Sequence, residues 1–226
     1  GRVFLRDASV KDSDSTVEGL NQPMRVSGVA YGPVSTTSWG GKVRNVDFFD
    51  VKGEVEALLS PAKPVFETAE HPAMHPGRCA QVLLNGQVIG HVGELHPRWR
   101  QTWDLQQAPI MFELDLDAVL QREVPVAQGV ARFQAVERDI AVIVAEKVTH
   151  GELMSAIHAA PTEGLLKNAV LFDVFRPQAT QGIEKSLAVR LTLYSDEATL
   201  TDVQIEATVK AVLDHLATKL SARLRS

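Results

Sequence analysis

Two four-residue signals, Thr149-His-Gly-Glu152 and Thr201-Asp-Val-Gln204, constrain the fold of this chain more than anything else in it. In each, the threonine hydroxyl can accept the backbone N–H three residues on, while the Glu or Gln side chain reaches back to the threonine N–H. The apolar residues flanking each box, Val148 with Leu153 and Leu200 with Ile205, stand at hydrophobic-staple spacing. Two helices therefore begin here. Ile205, Val209, Val212, Leu216 and Leu220 continue the second at helical spacing and form one apolar stripe that needs a partner.

The partner is legible around them. Asp139 to Val144 is a short, mostly apolar β run. Val170, Phe172 and Val174 alternate with Leu171, Asp173 and Phe175, and Leu187, Val189, Leu191 and Leu193 alternate with Ala188, Arg190, Thr192 and Tyr194. A short last strand fits Ala222 to Arg225. Period two with one apolar face describes a sheet covered on one side only. The order β-α-β-β-α-β is the ferredoxin-like arrangement. Both helices must then pack on one face and leave the other open.

By parity the open face displays Asp139, Ala141 and Ile143, then Asp173 and Phe175, then Arg190 and Thr192, then Arg223 and Arg225. Arginines can pair with phosphates or stack on bases, and a phenylalanine offers a platform for an unstacked base. The same face could equally be solvated or dock on another domain. The aromatic consensus of an RNA-recognition motif is absent.

Charge does not decide between these readings. The formal net charge is −5. It divides into −3 for residues 1–132, with 13 basic and 16 acidic residues, and −2 for 133–226, with 10 and 12. Neither part is basic, so any nucleic-acid contact must come from a local patch. A single cysteine, Cys79, excludes an intrachain disulfide and suits a reducing cytosol. No apolar run approaches the roughly 20 residues that cross a bilayer, so no membrane role is expected. The chain opens on Gly1, without an apolar signal core, and reads as part of something longer.

Residues 1–128 read as a separate α+β layer, with the boundary at Arg122-Glu-Val-Pro-Val-Ala-Gln-Gly129, where periodicity lapses. Met24 to Tyr31 reads as a strand, Asp47 to Leu59 as a helix, and Ile110 to Leu116 as a strand followed by a short helix around Ala118 to Gln121. Gln81 to Ile89 is a hairpin, with Asn85-Gly86 suited to a type I′ turn. Gly90-His-Val-Gly93 lacks the Lys-Ser/Thr of a phosphate loop and reads as a tight turn after the hairpin. His71, His75 and Cys79 share a four-residue spacing, but Pro72 and Pro76 oppose the helix that would align them on a metal, so a shaped loop is expected. Trp39, Trp99 and Trp103 read as core or interface anchors. No nucleophile elbow appears, so a hydrolase triad has no local signal.

Four strings, Arg132-Phe-Gln-Ala-Val-Glu-Arg-Asp-Ile-Ala-Val-Ile-Val144, Leu171-Phe-Asp-Val-Phe-Arg176, Glu184-Lys-Ser-Leu-Ala-Val-Arg190 and Thr199-Leu-Thr-Asp-Val-Gln-Ile205, resemble the anticodon-binding domain that ends bacterial phenylalanyl-tRNA synthetase β subunits. Upstream, Val46-Asp-Phe-Phe-Asp-Val-Lys-Gly53, His71-Pro-Ala-Met-His-Pro-Gly77 and Ile89-Gly-His-Val-Gly-Glu-Leu-His-Pro97 resemble that subunit's catalytic-like domain, with Phe112-Glu-Leu114 where the family places a strand.

The resemblance implies an α+β chain: an N-terminally truncated, class II synthetase-like antiparallel-sheet domain over 1–128, then a ferredoxin-like domain over 129–226. It implies a cytoplasmic α2β2 enzyme that charges tRNA(Phe) using ATP and Mg2+, with the synthetic site on the α subunit. Editing and magnesium sites would lie upstream of this chain. No Gly-x-Gly-x-x-x-Arg of the ATP-holding kind occurs here, so the chain is expected to carry no catalytic residue, metal or cofactor of its own. Its own expected work is assembly with the α subunit and contact with the anticodon stem-loop. Motif matching assigns that contact to Phe133, Arg138, Asp139, Asp173, Phe175 and Arg176, and strand parity adds Arg190, Arg223 and Arg225. Arg138 shares the parity of Ile140 and could instead pair with Asp139 or Asp173. The family often has tyrosine where Phe175 stands.

Overall fold

The computed structural model describes residues 1–36, 39–41, 43–121, 124, 126–127, 132–178 and 182–225. The chain divides into two compact units, Gly1–Val126 and Ala127–Ser226. Most of the boundary segment Arg122–Gly129 lies outside the described residues.

In the first unit, a two-residue ribbon pairs β1 (Leu5–Arg6) with β2 (Leu20–Asn21). The main sheet contains β3 (Arg25–Ala30), β4 (Val65–Thr68), β5 (Met74–Leu84), β6 (Gln87–Leu95) and β7 (Ile110–Asp115). It is antiparallel throughout, in the order β3-β7-β6-β5-β4. Helix α1 (Phe48–Leu59) starts at Asp47, whose carboxylate accepts the amides of Phe49 and Asp50 in a capping box. Its Val51, Val55 and Leu59 bury against Ala80, Val82, Val92, Ile110 and Leu114 of the sheet. Two short helices, α2 (Pro97–Thr102) and α3 (Leu116–Leu120), follow β6 and β7.

The hairpin is longer than its alternating core suggested, reaching back to Met74 and on to Leu95. Asn85 and Gly86 take φ of +52° and +78°, as a type I′ turn requires. Gly90-His-Val-Gly93 is not a turn: it lies within β6. Gly90 is there because β7 approaches so closely that a Cβ would sit 2.0 Å from the Glu113 carbonyl oxygen.

The second unit is built from β8 (Val136–Ala145), α4 (His150–His158), β9 (Leu166–Phe175), β10 (Glu184–Leu193), α5 (Asp202–Leu220) and β11 (Arg223–Leu224). The antiparallel order β11-β8-β10-β9 is that of a ferredoxin-like sheet. Both capping boxes form, at Thr149 with Glu152 and at Thr201 with Gln204. From the helices, Leu153, Ile157, Ile205, Val212 and Leu216 bury against Ile140, Val142, Val144, Leu187, Val189, Leu191 and Leu193. Each such side chain contributes on the order of 1.5–3 kcal/mol of apolar transfer. The core thus lies on one side of the sheet, and the even-numbered residues of β10 face away from it.

One strand departs from its alternation. The register along β9 shifts between the pairs Ala188↔Asp173 and Val189↔Leu171, leaving Phe172 as an unpaired extra residue. Below the bulge, Ala169 and Leu171 pack against the core, while Val170 and Phe172 are exposed. Reading Val170 and Phe172 as part of the apolar face is therefore corrected, because the bulge reverses the parity before it, whereas Val174 stays opposite the core residue Leu187 as expected. Among the described residues no helix is long and apolar enough to cross a membrane.

Candidate nucleic-acid interface

The uncovered face of the second sheet is assembled by register. Arg190 of β10 pairs with Asp139 of β8, and its guanidinium grips that carboxylate through Nε–Oδ1 and Nη2–Oδ2 contacts of 2.8 and 2.9 Å. Glu137 approaches the same guanidinium at 3.5 Å. The Arg190 hydrogen bond holds the Asp139 carboxyl below the usual carboxylate range. The Asp139 hydrogen bond raises the already basic Arg190. The Phe172 ring centroid lies 5.5 Å from this guanidinium, within cation–π reach.

Farther along the face, the two central strands carry the small side chains of Ala141, Ser186 and Ala188, bordered by Ile143. Ala188 pairs with Ala141, and Ser186 with Ile143. Two long side chains meet over this floor from opposite edges. Phe175 pairs with Ser186 from β9, and Arg225 is placed beside Ala141 by its N–H to the Ala141 carbonyl at 2.8 Å. The Arg225 guanidinium lies 5.1 Å from the Phe175 centroid. Asp173 pairs with Ala188 at the same level. Arg223 pairs with Ile143 and bonds the Glu184 carboxylate.

Asp139, Asp173, Phe175, Arg190, Arg223 and Arg225 are thus gathered on one face. The other three expected residues are not on it. Arg138 pairs with Leu191, a core residue, so it stands at the strand end on the side opposite Arg190, and its Nη1 donates to the Glu137 carbonyl at 2.9 Å. It pairs with neither Asp139 nor Asp173. Arg176 follows the end of β9 and bonds Glu146 at 3.0 Å. Phe133 precedes β8 and is half-buried.

The missed residues of the face include Glu137, Val170, Phe172, Ser186 and Ala188. Glu137, Ser186 and Ala188 were recoverable, since they share the parity of Asp139 and Arg190. Val170 and Phe172 were not, because nothing in their neighbours announces a bulge. The face carries mixed charge: three of its ionic partners are acidic, and among the described residues only Arg225 of its arginines has no carboxylate within salt-bridge distance. It can therefore offer stacking surface and one available cation, with two further arginines held ready by carboxylates that a phosphate must displace.

In the first unit, the His71 Nδ1 accepts the Ala73 N–H at 3.2 Å and the His75 Nδ1 accepts the Gly77 N–H at 3.0 Å. His96 repeats this with Arg98 at 3.1 Å. In each His-Pro-x sequence the imidazole closes the turn around the proline. Cys79 is buried, its Sγ 3.5 Å from Met74 Sδ, and burial pushes its thiol up. Among the described residues no three His, Cys, Asp or Glu side chains converge to hold a metal ion. Trp39 and Trp103 are exposed, which corrects the core alternative for these two, while Trp99 is half-buried and stacks on Trp103 at 5.7 Å.

Comparison with known proteins accounts for both units. Residues 1–116 match the family model described as the phenylalanyl tRNA synthetase beta chain CLM domain, and residues 131–225 match the ferredoxin-fold anticodon binding domain. Phenylalanine–tRNA ligase beta subunits from Cupriavidus pinatubonensis and Ralstonia nicotianae are 46% and 47% identical over 100% of this chain. That from Chromobacterium violaceum is 43% identical over 99% of it. The chain spans 29% of the length of the first two relatives and 27% of the third.

Proposed function

Because the chain belongs to the phenylalanyl-tRNA synthetase β-chain family, we propose that the open face of its second unit binds the anticodon stem-loop of tRNA(Phe). The carrying observation is the meeting of Phe175 and Arg225 over the Ala141, Ser186 and Ala188 floor. Ala141 and Ala188 would let a planar base lie close to the sheet, while Ser186 is already buried. Phe175 gives that base a stacking surface, Asp173 offers acceptors to exocyclic amines, and Arg225 can turn to a flanking phosphate. Arg223 and Arg190 would add phosphate contacts only by exchanging a carboxylate for a phosphate, which moderates the affinity of the isolated chain. Arg138, Arg176 and Phe133 would act, if at all, at the margins of the loop.

The first unit is assigned to assembly with an α subunit in an α2β2 enzyme of the cytoplasm. That enzyme would join phenylalanine to its tRNA with ATP and Mg2+, through residues outside this chain. The chain alone would then catalyse no phenylalanine-dependent ATP–pyrophosphate exchange. Adenylate formed by the purified chain would overturn this assignment.

The test of the anticodon reading replaces Phe175 and Arg225 separately with alanine in the whole chain. Each substitution should weaken a hairpin bearing the phenylalanine anticodon while leaving association with the α subunit unchanged. If RNA binding survives both and assembly is lost, the face is a protein-docking surface instead.

A further inference from the structure

The open face carries not one phenylalanine–arginine pair but two. Phe175 lies under Arg225 at one end of β9, and Phe172 lies by Arg190 beyond the bulge, with centroid distances of 5.1 and 5.5 Å. Phe172 is 54% exposed and Phe175 47%, so each ring keeps free surface on the side its arginine does not cover. A bulge that turns a large apolar side chain out of a core and toward solvent is costly unless the exposed ring has a use. Accordingly, we propose that Phe172 is a second base-stacking position, which takes an unpaired base neighbouring the one held on Phe175. This rests on the anticodon-loop reading above and extends it.

The two positions differ in electrostatics. Arg225 has no carboxylate within salt-bridge distance among the described residues, whereas Arg190 is fixed by Asp139 at 2.8 Å and approached by Glu137 at 3.5 Å. Two carboxylates around one guanidinium leave the Phe172 end locally negative, which disfavours phosphates there. What remains attractive is the ring, stiffened from one side by a pinned cation. A neutral base can stack on it, and every base has the π-face this needs. Phe172 therefore contributes stacking that is insensitive to salt, while Arg225 contributes a contact that weakens as salt rises.

The test uses the whole 226-residue chain and fluorescent RNA hairpins with the phenylalanine anticodon, including hairpins with one abasic loop nucleotide each. Phe172→Ala should weaken the intact hairpin roughly 5- to 150-fold, with an unchanged salt slope. Phe172→Trp should restore binding. One abasic position should reproduce the loss with the unsubstituted chain, and on that hairpin Phe172→Ala should cost nothing more. Should Phe175→Ala weaken binding while Phe172→Ala and every abasic hairpin other than the Phe175-dependent one bind normally, the second position is refuted and the anticodon reading stands. Absence of any hairpin binding by the unsubstituted chain would remove both.

Discussion

The Asp139–Arg190 pair sets the charge of the proposed interface and is accessible to titration. Because the folded Asp139 carboxyl titrates below its ordinary value, the stability it contributes is present above the unfolded carboxylate value and is lost as pH falls through the depressed one. In a carboxyl NMR titration Asp139 should therefore be among the last acidic groups to protonate, and Arg190→Gln should return it toward the ordinary range. An ordinary Asp139 titration in the intact chain would mean that the bidentate contact does not persist in solution. Asp50 offers an internal comparison: the Arg44 hydrogen bond takes its carboxyl down to about 2. Residues of this kind were partly legible. Arg190 and Asp139 share a face by parity, but that they bind each other depends on register across two strands 51 positions apart. Sequence alone could not give that register.

Elements with local causes were legible because their causes lie within a few residues. Both capping boxes, the α5 stripe and the Asn85-Gly86 turn are contiguous chemistry, and each forms. Long-range causes were hidden. Gly90 looks like a turn residue until β7 is laid beside it, and Phe172 looks like a core residue until the bulge offsets it. Two substitutions check these causes by chemical denaturation. Thr201→Ala, which removes the α5 cap, should cost about 1 kcal/mol. Leu216→Ala, fully buried in the same helix, should cost roughly 2–5 kcal/mol. Equal costs would mean that α5 is not held by the core described for it. Gly90→Ala should destabilise the first unit through the Glu113 clash, whereas Gly53→Ala, whose Cβ meets nothing within 4 Å, should be neutral or stabilising.

The chain combines two one-sided sheets with different prospects. In the first unit Phe4, Val29, Tyr31, Trp39, Phe49 and Trp103 are exposed, a composition expected of surface that assembles. The purified chain should self-associate with rising concentration in light scattering, and added α subunit should compete with that association. A strict monomer at every concentration would count against the assembly role. In the second unit the proposed RNA contact lies on a face that nothing in the bulk charge announces, since neither part is basic.

Hairpin binding tests that claim most directly. The whole chain is titrated against two hairpins that differ only in the anticodon, at two salt concentrations. The face described here predicts preference for the phenylalanine anticodon, with affinity falling as salt rises. Equal binding to both hairpins, or none to either, would contradict anticodon reading by this face.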